Sequence, residues 1–538
     1  MSPDRTGTDP TGTDAGTGTA AGAVRDRPTA RDLAYRPGVA TWITRHADRL
    51  PTKPALVLDG VTLTYRDLET RTWQVARTLR ALGVRVGDRV GLLHDNHAEF
   101  LPVTLAILRL GAIYVPLNAR LADDEIAALV ADSRPSVLVT QEARLPRATA
   151  LADGRADLVV RTTDGPDWPG VDAPADPFDV GAFDEDSPAG LFYTSGTTGL
   201  PKGAIITHRN IASVATSLAV DLGFDRDDRP LVSLPISVSG AMLAGVLPFL
   251  HLGCSIRLLE VATPELIAAA IRDYRPSYMA SVPTVFKALL DHPSFDDLDL
   301  SCFQRVLSAA ASMPVSLIER FRERGLEVFV QGYGLTESCG FSTCLMPEDA
   351  LRKVGSIGRP LMYSDVRVLV GDREAEPGEI GELCVSGPSI MAGYWERPDE
   401  RPIVDGWLRT GDLGHADAEG YLYVTGRLKD MVITGGYNVY PAEVENVVYQ
   451  LPGVAEAAVI GVPDERWGER VVAVVRARPD AAPDAVTAAT VGALCARHLA
   501  DYKRPKEVLV VTTPLPVNPT GKIVKARLRT AYAEGSLA

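Results

Sequence analysis

Residues 189–203 read AGLFYTSGTTGLPKG, an apolar run that leads directly into a loop of hydroxyl and glycine residues closed by a lysine. Such a loop suits polyphosphate, because glycine lets backbone N–H groups turn inward and hydroxyl side chains add donors. The candidate phosphate contacts are Thr194, Ser195, Gly196, Thr197, Thr198, Gly199 and Lys202. The GxxxxGK[ST] spacing of a Walker A loop is missing, so the motif indicates another class of nucleotide site. Taken alone, a Gly/Thr loop would also fit a flexible surface turn.

Helical and strand patterns alternate before this loop. Helical periodicity at 66–82 and 98–111 alternates with short apolar runs at 89–93, 112–116 and 136–140, which is typical of β-α units around parallel sheets. After about residue 350, short strands separated by Gly and Pro predict a small β-rich section, and an α+β unit follows from about residue 430. We therefore predict an α/β fold with a large N-terminal domain of α/β sheets and a small β-rich section, followed by a small α+β C-terminal domain.

Composition limits the classes of function. With 538 residues and 46% hydrophobic content, the chain is expected to build more than one core. Its 69 acidic and 55 basic side chains give a net charge of -14, which argues against nucleic acid and anionic lipid as partners. The six cysteines form no CxxC pair, so we assign no disulfide and no structural metal. No apolar run reaches the roughly 18 residues needed to span a bilayer, and no signal peptide is evident, which predicts a cytoplasmic protein.

Four further motifs follow the first one along the chain. They are GYGLTE at 332–337 after an apolar strand at 328–330, RTGDL at 409–413, GRLKDMVITGGYNVYPAEVE at 426–445 and LPVNPTGKIVK at 515–525. Together with YTSGTTGLPKG, these motifs resemble those of the adenylate-forming superfamily, which contains acyl-CoA synthetases, peptide-synthetase adenylation domains and luciferases. The resemblance is closest to acyl- or aryl-CoA ligases, and it covers roughly residues 40–530.

The resemblance implies a site for ATP and Mg²⁺. Thr336 would contact the nucleotide phosphate, and Glu337 would hold Mg²⁺, a hard cation that prefers carboxylate oxygen. Lys522 would lie between the substrate carboxylate and the α-phosphate, where an ammonium group offsets the repulsion between two anions. The other implied nucleotide contacts are Gly332, Tyr333 and Gly334 beside the adenine and acid pockets, Ala310 and Ala311 beside the base, and Asp412 and Arg427 at the ribose.

The resemblance also implies two domains that move relative to each other. We expect a disordered leader at 1–35, an ATP- and acid-binding domain at 36–427, and a lid domain at 428–538 with its hinge near Lys429. The leader is almost devoid of large apolar side chains, so it has little surface to bury on folding. Gly435 and Gly436 would form a loop that lines the tunnel of the thiol acceptor, where a side chain would obstruct close approach.

The implied reaction is activation of a carboxylic acid to its acyl-AMP with release of pyrophosphate, followed by transfer to coenzyme A. Residues 234–240, LPISVSG, are one residue shorter than the LPLFHxxG stretch of many relatives, with Ser237 or Val238 where the histidine would fall. This stretch has no Asp to pair with an α-ammonium group, which argues against an α-amino acid, and Lys287 lies one place early for a dicarboxylate. An apolar or aromatic monocarboxylate fits best. The candidate acid-pocket residues are Ser237, Val238, Met242, Met279 and Phe341.

Two other functions stay open at this point. In the first, the acyl-AMP passes to a separate carrier protein, or nitrite is adenylated and trapped by an arylamine, and the altered LPISVSG stretch keeps this alternative open. In the second, the chain binds nucleotide without turnover. The set of charged residues at motif positions argues against that reading: Lys202, Glu337, Asp412, Arg427 and Lys522.

Overall fold

A computed structural model of the chain describes residues 38–170, 172–194, 201–308, 313–482, 484–517 and 523–537. The leader expected at residues 1–35 lies outside these ranges. The strands, in chain order, are β1 (Pro54–Leu58), β2 (Val61–Thr64), β3 (Arg89–Leu93), β4 (Ile113–Leu117), β5 (Val137–Thr140), β6 (Val159–Thr162), β7 (Pro188–Thr194), β8 (Lys202–Thr207), β9 (Pro230–Val232), β10 (Ile256–Leu258), β11 (Tyr278–Ser281), β12 (Arg305–Ser308), β13 (Phe329–Tyr333), β14 (Thr343–Leu345), β15 (Ser356–Pro360), β16 (Asp365–Val370), β17 (Arg373–Glu374), β18 (Gly381–Ser386), β19 (Ile403–Val404), β20 (Trp407–Ala416), β21 (Leu422–Arg427), β22 (Val432–Thr434), β23 (Tyr437–Val439), β24 (Val454–Asp464), β25 (Gly468–Ala477) and β26 (Glu507–Val511).

The helices connect and cover these strands. They are α1 (Thr41–Arg49), α2 (Tyr65–Ala81), α3 (Phe100–Arg109), α4 (Asp123–Ser133), α5 (Leu145–Ala152), α6 (His208–Leu222), α7 (Ser239–Ala241), α8 (Leu247–Leu252), α9 (Pro264–Tyr274), α10 (Pro283–Leu290), α11 (Val315–Glu323), α12 (Pro441–Val448), α13 (Ala488–His498) and α14 (Lys525–Ala533). A π-helical turn at Met242–Val246 joins α7 to α8. Among the described residues, no helix combines the length and apolar character needed to cross a membrane.

The first sheet positions the phosphate motif at its edge. It has six strands in the order β6-β5-β3-β4-β7-β8. All neighbours are parallel except β7 and β8, which form an antiparallel pair. Parallel neighbours need crossover connections. Along the chain, α3 therefore connects β3 to β4, and α4 connects β4 to β5. The β-α rhythm predicted for the N-terminal part of the chain is confirmed.

The second sheet joins a parallel half to an antiparallel half. Its main path of strands runs β17-β16-β18-β20-β21-β15-β14-β13-β12-β11-β9-β10-β1-β2, and β19 pairs with β20. The strands from β1 to β13 along this path are parallel to each other. From β13 onward, every neighbour is antiparallel. This antiparallel half is the small β-rich section that the sequence predicts.

A third sheet lies in the α+β unit at the C-terminal end of the described chain. Its strands run β23-β22-β25-β24, with β26 beside β25. Two apolar cores pack against it, and their buried members all lie between Val432 and Leu528. The predicted fold class, with a large α/β part and a small α+β part, is confirmed. The domain boundaries at 36–427 and 428–538 stay predictions.

A buried carboxylate ties the first three helices together. Glu69 on α2 accepts two hydrogen bonds of 2.6 Å from the guanidinium of Arg109 on α3. It also accepts bonds of 2.9 Å from Thr44 Oγ1 on α1 and from Trp73 Nε1. The Arg109 side chain is only 5% exposed, so its charge has little water to stabilise it. The Glu69 carboxylate is therefore the counter-charge of this guanidinium, which also donates to the backbone oxygen of Ala40 at 2.8 Å.

We expect Glu69→Gln to destabilise the fold by about 3–5 kcal/mol, because it leaves the Arg109 charge buried without a full counter-charge. The measurement is urea unfolding followed by tryptophan fluorescence. The matched control is Glu185→Gln, since Glu185 pairs with Arg209 and their side chains are 56% and 47% exposed. Glu185→Gln should lower the free energy of unfolding by less than about 1 kcal/mol, because exposed ion pairs contribute little. Equal effects of the two substitutions would contradict this account of the buried pair.

Candidate active site

The structure describes most of the residues that the sequence assigns to the site. Eight of them lie outside the described residues: Ser195, Gly196, Thr197, Thr198, Gly199, Ala310, Ala311 and Lys522. The described residues fall into a phosphate and metal group, a ribose group, an acid-pocket group and a hinge group.

The phosphate motif is carried by the β7–β8 hairpin. Thr194 ends β7 and Lys202 begins β8, and the two are paired across the antiparallel ladder. The predicted phosphate loop therefore joins two strand ends. Lys202 forms an ion pair with Glu400, and its Nζ atom lies 5.4 Å from the centre of the Tyr394 ring. The Lys202 side chain is 14% exposed, so its charge is confined to the base of the loop.

Glu337 meets the end of β7 although 143 residues separate it from Thr194. It lies in a short 3-10 helix, Thr336–Ser338, that follows β13. Glu337 Oε1 accepts a hydrogen bond of 3.3 Å from Thr194 Oγ1 and one of 2.8 Å from the Tyr394 hydroxyl. The structure thus brings the predicted metal carboxylate to the base of the predicted phosphate loop.

Thr336 contacts the segment that departs from the family pattern. Its Oγ1 atom lies 2.8 Å from Ser239 Oγ, in a hydrogen bond that either hydroxyl could donate. Ser239 is the first residue of α7 and follows Val238, one of the two residues considered for the position of the missing histidine. A hydroxyl group from the altered stretch therefore lies directly beside the phosphate motif.

Tight glycine packing shapes the turn that carries Thr336 and Glu337. A Cβ atom on Gly334 would collide with the carbonyl oxygen of Gly340, and one on Gly332 would lie 2.5 Å from the Phe341 ring. Both glycines are needed because backbone or ring atoms already fill the space of a side chain.

We expect Gly334→Ala to destabilise the protein by about 1–3 kcal/mol, because the new methyl group must push the Gly340 backbone away. Gly240→Ala is the matched control, since a Cβ atom there has no neighbour within 4 Å. Thermal unfolding of both variants tests the expectation. A melting temperature of Gly334→Ala equal to that of Gly240→Ala would show that the turn is not constrained in this way.

Asp412 and Arg427 form a second group of predicted nucleotide residues. They face each other across the β20–β21 ladder, and Arg427 Nε lies 2.8 Å from Asp412 Oδ1. The Tyr333 hydroxyl donates a hydrogen bond of 2.8 Å to Asp412 Oδ2. Burial and the Asp412 charge raise the pKa of Tyr333, so its hydroxyl remains a donor. Asp412 is 3% exposed, and each of its two oxygens has one partner, which fixes the orientation of a carboxylate that has about four lone-pair sites in all.

Two predicted acid-pocket residues lie in one apolar core. Met242 and Phe341 are 0% and 6% exposed and belong to the same cluster of buried side chains. Met242 begins the π-helical turn, a deviation that often occurs at functional sites. The Phe341 ring packs over Gly332, so this apolar core lies directly beside strand β13, which carries predicted nucleotide contacts.

Met279 does not belong to this wall. Side chains alternate between the two faces of a strand, and Tyr278 of β11 packs in the core that contains Met242 and Phe341. Met279 instead packs in the core on the other face of the sheet, with Leu231, Phe286 and Phe329. The structure therefore does not bring Met279 together with Met242 and Phe341, because neighbouring residues of a strand point to opposite faces.

Ser237 and Val238 lie just before α7. Ser237 lines a polar pocket whose other members include His94, Asn96, Asn118, Arg120, Ser233 and Glu260. Val238 accepts the backbone hydrogen bond of Met242 at 3.1 Å, so it begins the turn that leads to the apolar wall. Ser237 therefore has mostly polar neighbours, while Val238 leads to Met242 in the apolar core.

The predicted hinge directly follows the ribose pair. Lys429 lies in a short 3-10 helix, Leu428–Asp430, which begins right after Arg427. Desolvation and the nearby charge of Arg427 lower the pKa of Lys429. Gly435 and Gly436 form the two-residue turn between β22 and β23, with φ angles of 57° and 81°. Two positive φ angles define a type I′ turn, for which glycine is well suited.

Sequence reasoning missed three residues of this site. Tyr394 bonds Glu337, Glu400 pairs with Lys202, and Ser239 bonds Thr336. Tyr394 and Glu400 lie in a Gly- and Pro-rich stretch that carries no periodic pattern. Only their long-range contacts identify them. Ser239 could have been found, because it is a hydroxyl residue inside the stretch that departs from the family pattern.

The donors present fit Mg²⁺ better than a metal caged by protein alone. No group of three or more His, Cys, Asp or Glu side chains suited to a metal occurs among the described residues. Mg²⁺ in nucleotide enzymes is commonly held by one or two carboxylates together with substrate phosphates. Glu337 next to the phosphate hairpin meets that requirement.

Comparison with known proteins agrees with this geometry. The model of the AMP-binding enzyme family matches residues 43–395, and that of the AMP-binding enzyme C-terminal domain matches residues 443–522. The chain is 39% identical to a feruloyl-CoA synthase of an Amycolatopsis species, over 92% of this chain and 99% of that protein. It is 38% identical to a long-chain-fatty-acid–CoA ligase of Mycobacterium tuberculosis, over 88% and 94% of the two chains.

Solved structures show the same likeness. The o-succinylbenzoate CoA synthetase of Bacillus subtilis, solved with its acyl-adenylate intermediate, is 31% identical with a TM-score of 0.82, over 91% of this chain and 97% of that one. The resemblance inferred from the five motifs is confirmed: this chain belongs to the AMP-binding enzyme family of adenylate-forming enzymes.

Proposed function

We propose that this chain is an AMP-forming acid–CoA ligase that acts on an apolar or aromatic monocarboxylate. The observation that carries the proposal is the meeting of Thr194, Lys202 and Glu337 at the phosphate hairpin. The Asp412–Arg427 pair supplies a separate ribose contact. The relatives named above make thioesters of coenzyme A with an aromatic acid or a fatty acid, which supports the same reaction class here.

In the first half-reaction, the acid carboxylate attacks the α-phosphorus of ATP and pyrophosphate leaves. Thr194, Thr336 and Lys202 would contact phosphate oxygens, and Asp412 would accept hydrogen bonds from the ribose hydroxyls. Glu337 would hold Mg²⁺, which offsets the negative charge of the phosphates. We assign to Lys522 the role of bringing the two anions together. Catalysis then rests on positioning and charge stabilisation.

In the second half-reaction, the thiol of coenzyme A attacks the acyl-AMP and AMP leaves. We propose that the unit after residue 427 turns about Lys429 and brings the Gly435–Gly436 turn to the acceptor tunnel. The enzyme's own thiols take no part in this scheme. Burial raises the pKa of all six cysteines, which keeps them protonated and poorly nucleophilic.

The preference for an apolar or aromatic acid follows from the pocket wall. Met242 and Phe341 are buried and apolar, and burial of such surfaces against a ligand favours apolar substrates. Ser239 lies beside Thr336 and offers a hydroxyl group to the substrate carboxylate. We expect the enzyme to work in the cytoplasm, with the acid, ATP and coenzyme A as its small-molecule partners.

The direct test is pyrophosphate release with ATP and Mg²⁺ across a panel of aliphatic and aromatic acids, each with and without coenzyme A, with products identified by mass. We expect an acyl-CoA product from one class of acid and none from α-amino acids. Lys522→Ala should lower the rate by at least about a hundredfold, because it removes the charge that offsets the meeting of two anions.

The matched control is Lys506→Ala. Lys506 lies in the same small unit, its side chain is 36% exposed, and its Nζ contacts Asp501, at 3.1 Å to the backbone oxygen and 3.6 Å to Oδ2. This variant should keep the wild-type rate. Release of pyrophosphate without formation of a thioester would overturn the assignment of coenzyme A as the acyl acceptor. Carrier proteins, and nitrite with an arylamine, would then be tested. No pyrophosphate with any acid would overturn the proposed reaction.

A further inference from the structure

The two oxygens of the Glu337 carboxylate have different surroundings. Oε1 accepts hydrogen bonds from the Tyr394 hydroxyl at 2.8 Å and from Thr194 Oγ1 at 3.3 Å. The structure records no hydrogen bond to Oε2 within the residues that it describes. One oxygen is therefore anchored by protein donors, and within the described residues the other accepts no hydrogen bond.

Tyr394 is held in place by an added strand-like segment. Residues 392–395 run along the outer edge of β8, where Tyr394 forms an isolated bridge with Ala204. Trp395 N donates to Gly203 O at 2.8 Å, and Ile205 N donates to Gly393 O at 2.9 Å. These backbone bonds hold the main chain of this segment independently of Glu337. The Tyr394 side chain is therefore attached to a segment that is hydrogen-bonded to the sheet.

The same segment also contacts the backbone and the cation of the site. Met391 N donates to the backbone oxygen of Glu337 at 2.9 Å, so both the main chain and the side chain of Glu337 are tied to this segment. Lys202 Nζ lies 5.4 Å from the centre of the Tyr394 ring, within the range of a cation–π interaction. A single tyrosine thus contacts both the predicted metal carboxylate and the predicted phosphate cation.

We propose that Tyr394 is a positioning residue that holds Glu337 Oε1 so that Oε2 stays directed to Mg²⁺. This inference rests on the proposed role of Glu337 as the metal ligand. Hydrogen bonds to a ligating carboxylate fix its orientation, and their removal commonly weakens metal binding by about 10–100-fold.

The test is calorimetric titration of ATP into the enzyme without acid substrate, once in EDTA and once with saturating Mg²⁺. Tyr394→Phe removes only the hydroxyl group. We expect its affinity for ATP in EDTA to match that of the wild type, while the gain in affinity caused by Mg²⁺ falls about tenfold. In steady-state assays, the Mg²⁺ concentration for half-maximal rate should rise by a similar factor, with the KM of the acid unchanged.

The matched control is Tyr193→Phe. The Tyr193 hydroxyl also donates to a carboxylate near the hairpin, but that carboxylate is Asp132, at 2.7 Å to Oδ2, and not Glu337. Its Mg²⁺-dependent gain should equal that of the wild type. In a Glu337→Gln background, adding Tyr394→Phe should cause no further loss, because the two residues act through one interaction.

Three results would overturn the inference. The first is an increase in ATP affinity caused by Mg²⁺ that is as large in Tyr394→Phe as in the wild type, whether or not the melting temperature of the variant falls. An equal loss in Tyr193→Phe would show a general effect of the hairpin, and an additive loss in the Glu337→Gln background would show that Tyr394 acts elsewhere. Failure of the wild-type enzyme to bind ATP with Mg²⁺ would instead contradict the proposed function itself.

Discussion

The hydrogen bonds at the Glu337 carboxylate connect the parts of the active site. Thr194 arrives from the end of β7, Glu337 from the turn after β13, and Tyr394 from the segment along the edge of β8. A carboxylate that accepts two hydrogen bonds on one oxygen restricts the position of each donor to a few tenths of an ångström. The tight packing at Gly334 fixes the turn that carries Glu337, and the pairing of Thr194 with Lys202 fixes the end of β7 that carries Thr194.

The predicted ribose pair lies directly before the second unit of the chain. Arg427 contacts Asp412 across a ladder, and the predicted hinge residue Lys429 comes two residues later. No loop separates the predicted ribose contact Arg427 from the short helix that contains the predicted hinge residue Lys429. A rotation about Lys429 therefore begins at a residue that contacts the nucleotide in our scheme, which gives a physical route by which the bound nucleotide influences the lid.

Local patterns predicted the fold well because they depend on short-range periodicity. The helix predicted at 66–82 is α2, and the strand predicted at 89–93 has those bounds. The helix predicted at 98–111 is α3, which is shorter at both ends. The phosphate, metal and ribose motifs were recognised from their residues, and the structure brings Thr194 to Glu337 and Asp412 to Arg427. Met279 was misplaced because a strand reverses its face at every residue, and Tyr394 was missed because its contact with Glu337 spans 57 residues without a local signal.

The central claim is that this site joins a carboxylic acid to AMP before any thiol takes part. The most direct test is exchange of labelled pyrophosphate into ATP, measured without coenzyme A and with the acid that the enzyme uses. Our account predicts exchange that requires the acid and Mg²⁺ and that needs no coenzyme A, because acyl-AMP formation is complete and reversible at this stage. Exchange that appears only when coenzyme A is added, or that proceeds without any acid, would contradict the account.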